Sequence, residues 1–320
     1  MWRIVKIILS VLIPAGFVGV LIVYVDFNYF ISEIKDVNSW YLIISFICLF
    51  AAYFFRVGRF MILFSSKKVK QLFAISSLHY FFNRILPART GEATLPVLLK
   101  KYLNISYSKG ITGLVFIRVI DLYGILLVLF LSIIGITDHE WQRDLVIIFR
   151  VIAIFIIIAS LLLFIFPRRV LGFTRRSILI LTRFGSSRFQ LKIRSYVDRL
   201  NDFINKMPRN FIPGIVLMSF GSWLLIYLYY YFIVRAFGLP YPFAEVSFAS
   251  SISNFTLVLP LSAVGNLGTF EAGWTAGFSL LGMDAGEAVQ IGLFSNIYAT
   301  LITSLLALVG WLLLKFRSHN

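Results

Sequence analysis

The sequence predicts an all-α protein that crosses a membrane several times. Of its 320 residues, 59% are hydrophobic and 14% are charged, whereas soluble domains have about 45–50% and about 25%. The mean hydropathy is +0.89. This number of charged residues is too small to cover the surface of a water-soluble protein. Lipid is therefore the solvent for most of the chain. The second observation is that the apolar residues form runs long enough to cross a bilayer.

Six apolar runs qualify as spans, because a spanning helix needs about 20 mostly apolar residues to cover about 30 Å of hydrocarbon. They lie at about 6–25, 40–64, 111–137, 145–166, 213–237 and 288–314. The first run follows Arg3 and Lys6 and resembles a signal sequence. It is longer than a typical signal and has no small-residue cleavage site, so we expect an uncleaved span.

Two further apolar stretches, at about 71–102 and 244–284, are interrupted near the middle. The interruptions read I-L-P-A-R-T-G-E at 85–92 and L-P-L-S-A-V-G-N-L-G-T-F-E at 259–271. The flanking segments, of roughly 12–17 residues, are too short to cross at about 1.5 Å per residue. Irregular backbone is tolerated at membrane depth only inside protein or beside a wet cavity. We therefore predict two re-entrant helical hairpins.

The net charge of +16 follows this layout. With six spans, both termini and the basic segments 65–110 and 167–212 fall on one side. The loops 26–39, 138–144 and 238–287, on the other side, are acidic. Because Lys and Arg mark cytoplasmic loops, both termini are predicted to be cytoplasmic. Basic residues grouped in this way do not indicate nucleic acid as a partner.

The spans and hairpins are predicted to form two inverted units, each a span, a hairpin and a span. The first hairpin enters from the cytoplasmic side and the second from the external side. The predicted divisions are 1–38 for the first span and an external loop, 39–137 for the first unit, 138–212 for the fourth span and a basic amphipathic cytoplasmic linker, and 213–320 for the second unit. Paired interrupted segments in inverted halves indicate a transporter's binding site.

Polar side chains at and near the interruptions are the candidates for substrate binding, because charges within a membrane are rare and usually functional. The set is Arg84, Arg89, Glu92, Arg118, Asp121, Glu271, Asn83, Asn254, Asn266 and Asn296. Arginine suits an anionic head group because its planar guanidinium binds two oxygens at once. Glu271 is expected to face a cavity between the units. Arg118 is expected to pair with Asp121 or Glu92. In the alternative interpretation, these ion pairs only stabilise the hairpin tips.

Five residues are predicted to form the hairpin turns: Pro87, Gly91, Pro260, Gly265 and Gly268. Proline ends a half-helix, and glycine permits tight turns and close backbone contact.

Three other features are interpreted as structural. Arg56 and Arg59, near the end of the second span, are expected to extend to the lipid–water interface. The aromatic residues of 223–232 are expected to form packing or lipid-facing surface. Apolar residues recur at helical spacing over 193–207, which predicts an amphipathic helix on anionic lipid.

No motif of an enzyme is found, and no cofactor or metal is predicted. The three histidines fit no metal-ligand spacing, and neither a phosphate-binding loop nor a nucleophile turn is present. Transport would then be downhill or coupled to an ion gradient, for which Glu92 and Glu271 are the candidates.

Several stretches together resemble one family. They are N-R-I-L-P-A-R-T-G-E, L-L-K-K-Y-L-N, F-I-R-V-I-D-L, and L-P-L-S-A-V-G-N-L-G-T-F-E followed by G-M-D-A-G-E-A. In order and spacing, over about 40–315, they resemble the lysylphosphatidylglycerol synthase transmembrane-domain family, also called the flippase-like domain family. The resemblance implies movement of aminoacylated, polar or glycosylated lipids between leaflets of a bacterial or archaeal plasma (inner) membrane. It places Arg89, Glu92, Arg118, Asp121 and Glu271 at the polar centre.

Two positions depart from the family pattern: A-V-G-N-L-G stands where relatives often have P-G-G-x-G, and Asn296 stands where the last span usually has Arg. The larger family members add a soluble transferase domain. This chain ends at Asn320 after the last span, so we expect no synthase activity.

The sequence thus predicts a lipid translocase, not an enzyme, whose partners are membrane lipids with anionic phospholipid or glycolipid head groups. A secondary transporter of a small anionic solute is one alternative. A membrane accessory protein or enzyme of lipid-linked sugar metabolism is another. A homodimer is left open.

Overall fold

The structure, a computed structural model, describes residues 36–136, 202–208, 211–257 and 264–316, with separate residues between 147 and 199. In this part of the chain the regular secondary structure is helical, and there is no strand. In chain order the helices are α1 (Ser39–Phe64), α2 (Val69–Ile85), α3 (Thr94–Leu103), α4 (Tyr107–Gly135), α5 (Phe211–Ala236), α6 (Phe243–Thr256), α7 (Thr269–Ser279) and α8 (Ala285–Lys315). The predicted all-α class is confirmed.

Four of these helices, α1, α4, α5 and α8, are long and apolar enough to cross a membrane. They match the spans predicted at 40–64, 111–137, 213–237 and 288–314. Side chains set the start of three of them: Asn38, Ser106 and Asp284 each accept a hydrogen bond from a backbone N–H of the first turn. The predicted span at 6–25 lies outside the described residues, and only separate helical residues of the span at 145–166 are described.

Each interrupted stretch forms two short helices on either side of a break. In the first hairpin, α2 and α3 flank the 3₁₀ segment Pro87–Ala93. In the second, α6 and α7 flank a break that ends with the short turn Val264–Asn266, and residues 258–263 lie outside the described part. The longest of the four helices has 17 residues and is about 25 Å long at about 1.5 Å per residue, less than the about 30 Å of a bilayer core. Insertion of the hairpins from opposite sides stays a prediction.

The helices of the two predicted units pack against each other with an exchange of partners. Helix α1 packs along α5, its counterpart in the other unit. Helix α2 packs against α8, and α6 packs correspondingly against α4, so the first helix of each hairpin contacts the last span of the other unit. This reciprocal packing, of α2 on α8 and of α6 on α4, is what two units related by a two-fold axis would produce. The predicted division of the chain into domains itself stays a prediction.

Two apolar clusters form most of the core, one around each hairpin. One surrounds Trp274 of α7, and the other surrounds Leu72 and Leu95 of the first hairpin. Along α5 the side chains change from one cluster to the other between Val216 and Ile226, and this interval carries buried polar side chains. The boundary between the clusters is therefore where polar side chains collect.

The predicted amphipathic helix of 193–207 is described only near its end. There Ile204 and Met207 are buried in the cluster around the first hairpin, and the ring of Phe203 packs edge-on against Phe116 of α4. The expectation that these apolar side chains rest on lipid is wrong at this end, because the protein core covers them.

Candidate functional site

A cavity of about 430 Å³ lies at the boundary between the two apolar clusters. Its walls come from α1, α2, α4, α5, α6 and α8 and from the breaks of both hairpins. Ligand sites usually have about 300–1,000 Å³, so the space suits a small molecule or a head group. Eight of the ten predicted binding residues line it, namely Asn83, Arg84, Arg89, Glu92, Arg118, Asp121, Asn254 and Asn266. That they bind substrate stays a prediction.

The break of the first hairpin directs charged side chains towards the cavity. Helix α2 ends at Ile85, and Pro87 begins the tighter 3₁₀ segment. Arg89 has a φ of +55°, a left-handed conformation that side-chain-bearing residues rarely adopt. At Gly91 an added Cβ would overlap the carbonyl oxygen of Phe82, so only glycine fits between this segment and the end of α2. The result is that Arg89 and Glu92 both line the cavity.

A chain of alternating charges runs along this wall. Glu92 Oε1 lies 3.2 Å from Arg89 Nη1 and 3.0 Å from Arg118 Nε. Arg118 Nη1 lies 3.7 Å from Asp121 Oδ2. Both partners suggested for Arg118 by the sequence are thus present. Asp121 in turn pairs with Arg59, at 2.6 Å between Nη1 and Oδ1.

The expectation that Arg59 extends to the interface is wrong. Arg59 is only 1% exposed. It donates hydrogen bonds to both carboxylate oxygens of Asp121, to the hydroxyl of Tyr80 at 2.6 Å and to Ser219 Oγ. The carboxylate and the two hydroxyls replace the water that an interfacial arginine would use.

Arg56 also lies in the cavity wall, with its guanidinium 4.0 Å from the ring centroid of Tyr80. One feature of the sequence could have indicated that both arginines lie inside the protein. They stand within an apolar run, where a charge is costly unless it is paired.

Aromatic residues of α5 also belong to the site. Tyr227, Tyr229 and Tyr230 are buried, which agrees with a packing role. Trp223, Tyr229 and Tyr230 in addition line the cavity, which the sequence interpretation missed. Trp223 Nε1 donates to Asp121 Oδ1 at 3.0 Å, and the Tyr230 hydroxyl donates to Asn254 Oδ1 at 3.3 Å.

The second hairpin places its carboxylate behind the cavity. Glu271 is 0% exposed and is absent from the cavity wall, so the expectation that it faces the cavity is wrong. Glu271 Oε2 accepts from the backbone N–H of Gly268 at 2.7 Å, and Oε1 accepts from Asn296 Nδ2 at 2.8 Å. These bonds close the break around the carboxylate and keep it out of the cavity.

Backbone conformation makes this second break possible. Gly265 has a φ of +67° and Gly268 has a φ of +78°, values that glycine adopts without steric cost. Asn296 also donates to the carbonyl oxygen of Gly265 at 3.1 Å, which ties the break to α8. Pro260 lies outside the described residues.

Arg84 links the two units. It extends from α2 to α8, where its Nη2 donates to Asn296 Oδ1 at 2.7 Å and its Nε donates to Thr300 Oγ1 at 2.7 Å. Asn296 therefore bonds to Arg84 on one side and to Glu271 on the other. Like Glu271, it does not line the cavity.

The described wall of the cavity carries an excess of positive charge. Five arginines (56, 59, 84, 89 and 118) stand against two carboxylates, Glu92 and Asp121, which leaves a net charge of +3. Nη2 of Arg118 is buried and has no hydrogen-bond partner. The surplus of guanidinium groups over carboxylates in the wall favours a ligand that accepts hydrogen bonds and carries negative charge. In the described part of the chain, no group of three potential ligands that could hold a metal ion occurs.

The fold and the cavity define a class: a multi-pass α-helical membrane protein whose basic cavity forms where two interrupted helical hairpins meet. The family comparison makes this specific. A family model described as the lysylphosphatidylglycerol synthase TM region matches residues 4–307, and the chain belongs to that family. Searches of curated proteins and of solved structures found no significant match.

Proposed function

We propose that the protein is a lipid translocase, which passes the anionic head group of a membrane lipid between leaflets by way of this cavity. The observation that carries the proposal is the combination, in one cavity, of uncompensated positive charge and an apolar side. A head group needs the first, and lipid tails need the second. Membership of the flippase-like family supports the same activity.

The charged part of the wall suits a phosphate. Arg118 lies on α4 with its Nη2 unpartnered, and Arg89 lies beside it on the first break. Guanidinium groups bind phosphate oxygens through paired hydrogen bonds, and these are about twice as strong as hydrogen bonds between neutral groups. A phosphate in the cavity would offset part of the net charge of +3.

The apolar part of the wall lies on α4, which is one of the spans. Val115, Val119 and Leu122 line the cavity at helical spacing around Arg118. Val115 is 45% exposed, so this side of the cavity reaches the outer face of the helix. On a spanning helix that face meets lipid. Tails could therefore stay in the bilayer along α4 while the head group enters.

A secondary transporter of a small anionic solute is the first alternative, since the same arginines would suit it. A solute without tails has no use for the exposed apolar side at Val115, which favours a lipid.

An enzyme is the second alternative. Glu92 and Asp121 are both held in ion pairs with arginines, which gives a general acid or base role no support. Cytoplasmic termini and a plasma (inner) membrane location belong to the same proposal, and rest on the charge distribution and on the family.

The test is lipid movement by purified protein in liposomes, followed with fluorescent lipids of different head groups. Arg118→Gln should slow movement of an anionic lipid by about tenfold or more, because one charge-assisted hydrogen bond contributes about 1.5–3 kcal/mol. Lys109→Gln is the matched control, since it removes one positive charge from the exposed start of the same helix and should change the rate less than about twofold. If no lipid moves while the inserted protein is folded, or if Arg118→Gln moves lipid at the wild-type rate, the proposal fails.

A further inference from the structure

We propose that Arg56 binds the anionic head group in the cavity, and that Tyr80 positions the Arg56 guanidinium for this contact. The proposal rests on the proposed function and deepens it, because it adds a binding residue on α1 and a positioning residue on α2. Three observations carry it: the place of Arg56 along α1, its lack of an acceptor, and the two tyrosine rings that support it.

Arg56 lies inside the span formed by α1 and not at its end. It stands eight positions before Phe64, the last residue of α1, which is about 12 Å along the helix at about 1.5 Å per residue. Its side chain is partly buried and lines the cavity. A charged side chain within a membrane is costly and usually functional. The position of Arg56 therefore calls for a partner of opposite charge.

The other four arginines of the described wall have such acceptors. They are Asp121 for Arg59, Asn296 and Thr300 for Arg84, and Glu92 for both Arg89 and Arg118. Arg56 differs, because no oxygen among the described residues forms a hydrogen bond or an ion pair with its guanidinium. A guanidinium has five N–H donors and keeps its charge in proteins. An anion can therefore bind Arg56 without displacing an acceptor of the described part of the chain.

Two tyrosine rings support the Arg56 guanidinium. Its central carbon, Cζ, lies 4.0 Å from the ring centroid of Tyr80 and 5.2 Å from that of Tyr53. A cation within about 6 Å of a ring centroid is attracted to the face of the ring. The N–H donors of a guanidinium lie in its own plane, so contact with a ring leaves them available to a ligand. The rings thus hold the group without using its donors.

The Tyr80 ring is itself held by neighbouring groups. Its hydroxyl accepts from Arg59 Nη2 at 2.6 Å, and its ring packs edge-on against Tyr53, with centroids 5.7 Å apart. The Tyr53 hydroxyl donates in turn to Thr303 Oγ1 of α8 at 3.2 Å. These contacts keep the ring, and with it the Arg56 guanidinium, in one place in the wall. A donor that is already in place loses less freedom when it binds a ligand.

The test measures the movement of fluorescent phosphatidylglycerol, used as an anionic probe, at increasing mole fraction in phosphatidylcholine liposomes that contain the full chain. Arg56→Gln should raise the half-saturating mole fraction by about tenfold or more, because it removes a charged donor from the anion. Arg56→Lys keeps the charge but not the planar pair of donors, and should raise it less. Lys70→Gln, at the exposed start of α2, is the matched control and should change it by less than about twofold.

Variants of Tyr80 test the positioning role. Tyr80→Leu removes the ring and should raise the half-saturating mole fraction several-fold. Tyr80→Phe keeps the ring face and loses only the hydroxyl, so it should have a smaller effect. Because Tyr80 acts through Arg56, adding Tyr80→Leu to Arg56→Gln should produce no further rise.

A different pattern would overturn the proposal. If Arg56→Gln lowers the maximal rate but leaves the half-saturating mole fraction unchanged, Arg56 is structural and does not bind the head group. Equal effects of Arg56→Gln and Lys70→Gln would exclude a specific contact. In both cases the wild type still moves lipid, so the translocase itself would stand.

A second measurement separates binding from movement. In detergent, short-chain phosphatidylglycerol should raise the thermal unfolding midpoint of the wild type more than that of Arg56→Gln, because a ligand stabilises the protein that binds it. This difference without any lipid movement would support Arg56 as a binding residue while the proposed function fails. Inorganic phosphate at the same concentration should stabilise the wild type less. Equal stabilisation would assign the contact to a free anion and overturn the proposal.

Discussion

The breaks of the two hairpins occupy corresponding places in the chain but hold their carboxylates differently. In the first, Glu92 is 26% exposed in its side chain, lines the cavity and pairs with two arginines. In the second, Glu271 is fully buried and bonds to a backbone N–H and to the neutral amide of Asn296. One carboxylate can meet a ligand, whereas the other holds the backbone of its break in place.

The same residue type at corresponding places of the two breaks thus has two different uses. A partly exposed carboxylate beside arginines can exchange partners when an anion arrives. A buried carboxylate with two strong donors cannot leave them without leaving unpaired groups behind. Of the two residues considered for ion coupling, Glu92 alone faces the cavity. Its role in coupling stays a prediction.

The largest effect is expected at the ion pair behind the first break. Asp121→Leu should destabilise the protein by about 3–5 kcal/mol, because it leaves the buried Arg59 guanidinium without its carboxylate. The thermal unfolding midpoint in detergent measures the loss. Arg59→Met combined with Asp121→Leu should recover most of it, since an apolar pair of similar volume can replace a buried ion pair. If Asp121→Leu alone is as stable as wild type, the ion pair between Arg59 and Asp121 does not stabilise the protein.

The second effect compares the two carboxylates directly. Glu271→Ala should destabilise the second hairpin by about 2–3 kcal/mol, because Gly268 N–H and Asn296 Nδ2 both lose their acceptor inside the protein. Glu92→Ala should cost less than about 1 kcal/mol, since its partially exposed ion pairs are weak. Unfolding midpoints of the two variants give the ranking. The opposite ranking would show that our assignment of roles is reversed.

The third effect concerns the backbone of each break. Gly91→Ala should cost about 1–3 kcal/mol through overlap with the Phe82 carbonyl, which is backbone and cannot easily move. At Gly265 a Cβ meets only Leu267 side-chain atoms, 3.7 Å away at the nearest, so Gly265→Ala should cost only the left-handed conformation, about 1 kcal/mol. Unfolding midpoints again separate the two. Equal costs would mean that close contact does not limit the first break.

The smallest effect tests the link between the units. Arg84→Met removes the bonds to Asn296 and Thr300 and should cost about 1 kcal/mol. In a double-mutant cycle with Asn296→Ala, chemical denaturation in detergent should give a coupling energy of at least about 0.5 kcal/mol. The control cycle combines Arg84→Met with Ser304→Ala, and these two changes should couple weakly. Ser304 lies one helical turn beyond Thr300. If the destabilising effects of Arg84→Met and Asn296→Ala are fully additive, these two residues do not link the units energetically.

Much of the fold could be predicted because hydropathy is a property of consecutive residues. The runs at 40–64 and 213–237 needed only length and composition to be recognised as spans. Pro87 and Gly91 marked the first break, since proline cannot continue a helix and glycine permits close backbone contact. The second break was marked in the same way, and Gly265 and Gly268 there have the left-handed backbone that favours glycine.

The site could be predicted only as a set of residues, because their partners come from distant parts of the chain. Arg59 and Asp121 are 62 positions apart, and Arg84 and Asn296 are 212 apart. Nothing local distinguishes an arginine that extends to the interface from one that meets a buried carboxylate. Arg59 was therefore misplaced, and Tyr230 and Trp223 were not recognised as part of the site.

By itself, then, the sequence determined that this is an all-α membrane protein with two interrupted hairpins carrying charge at their breaks. It could do so because lipid and the helical backbone impose strict local requirements. Tertiary structure alone decided which charges face the cavity and which are buried behind it. That outcome depends on how α2 packs against α8 and α6 against α4, and burial is set by such packing between distant helices and not by residue type.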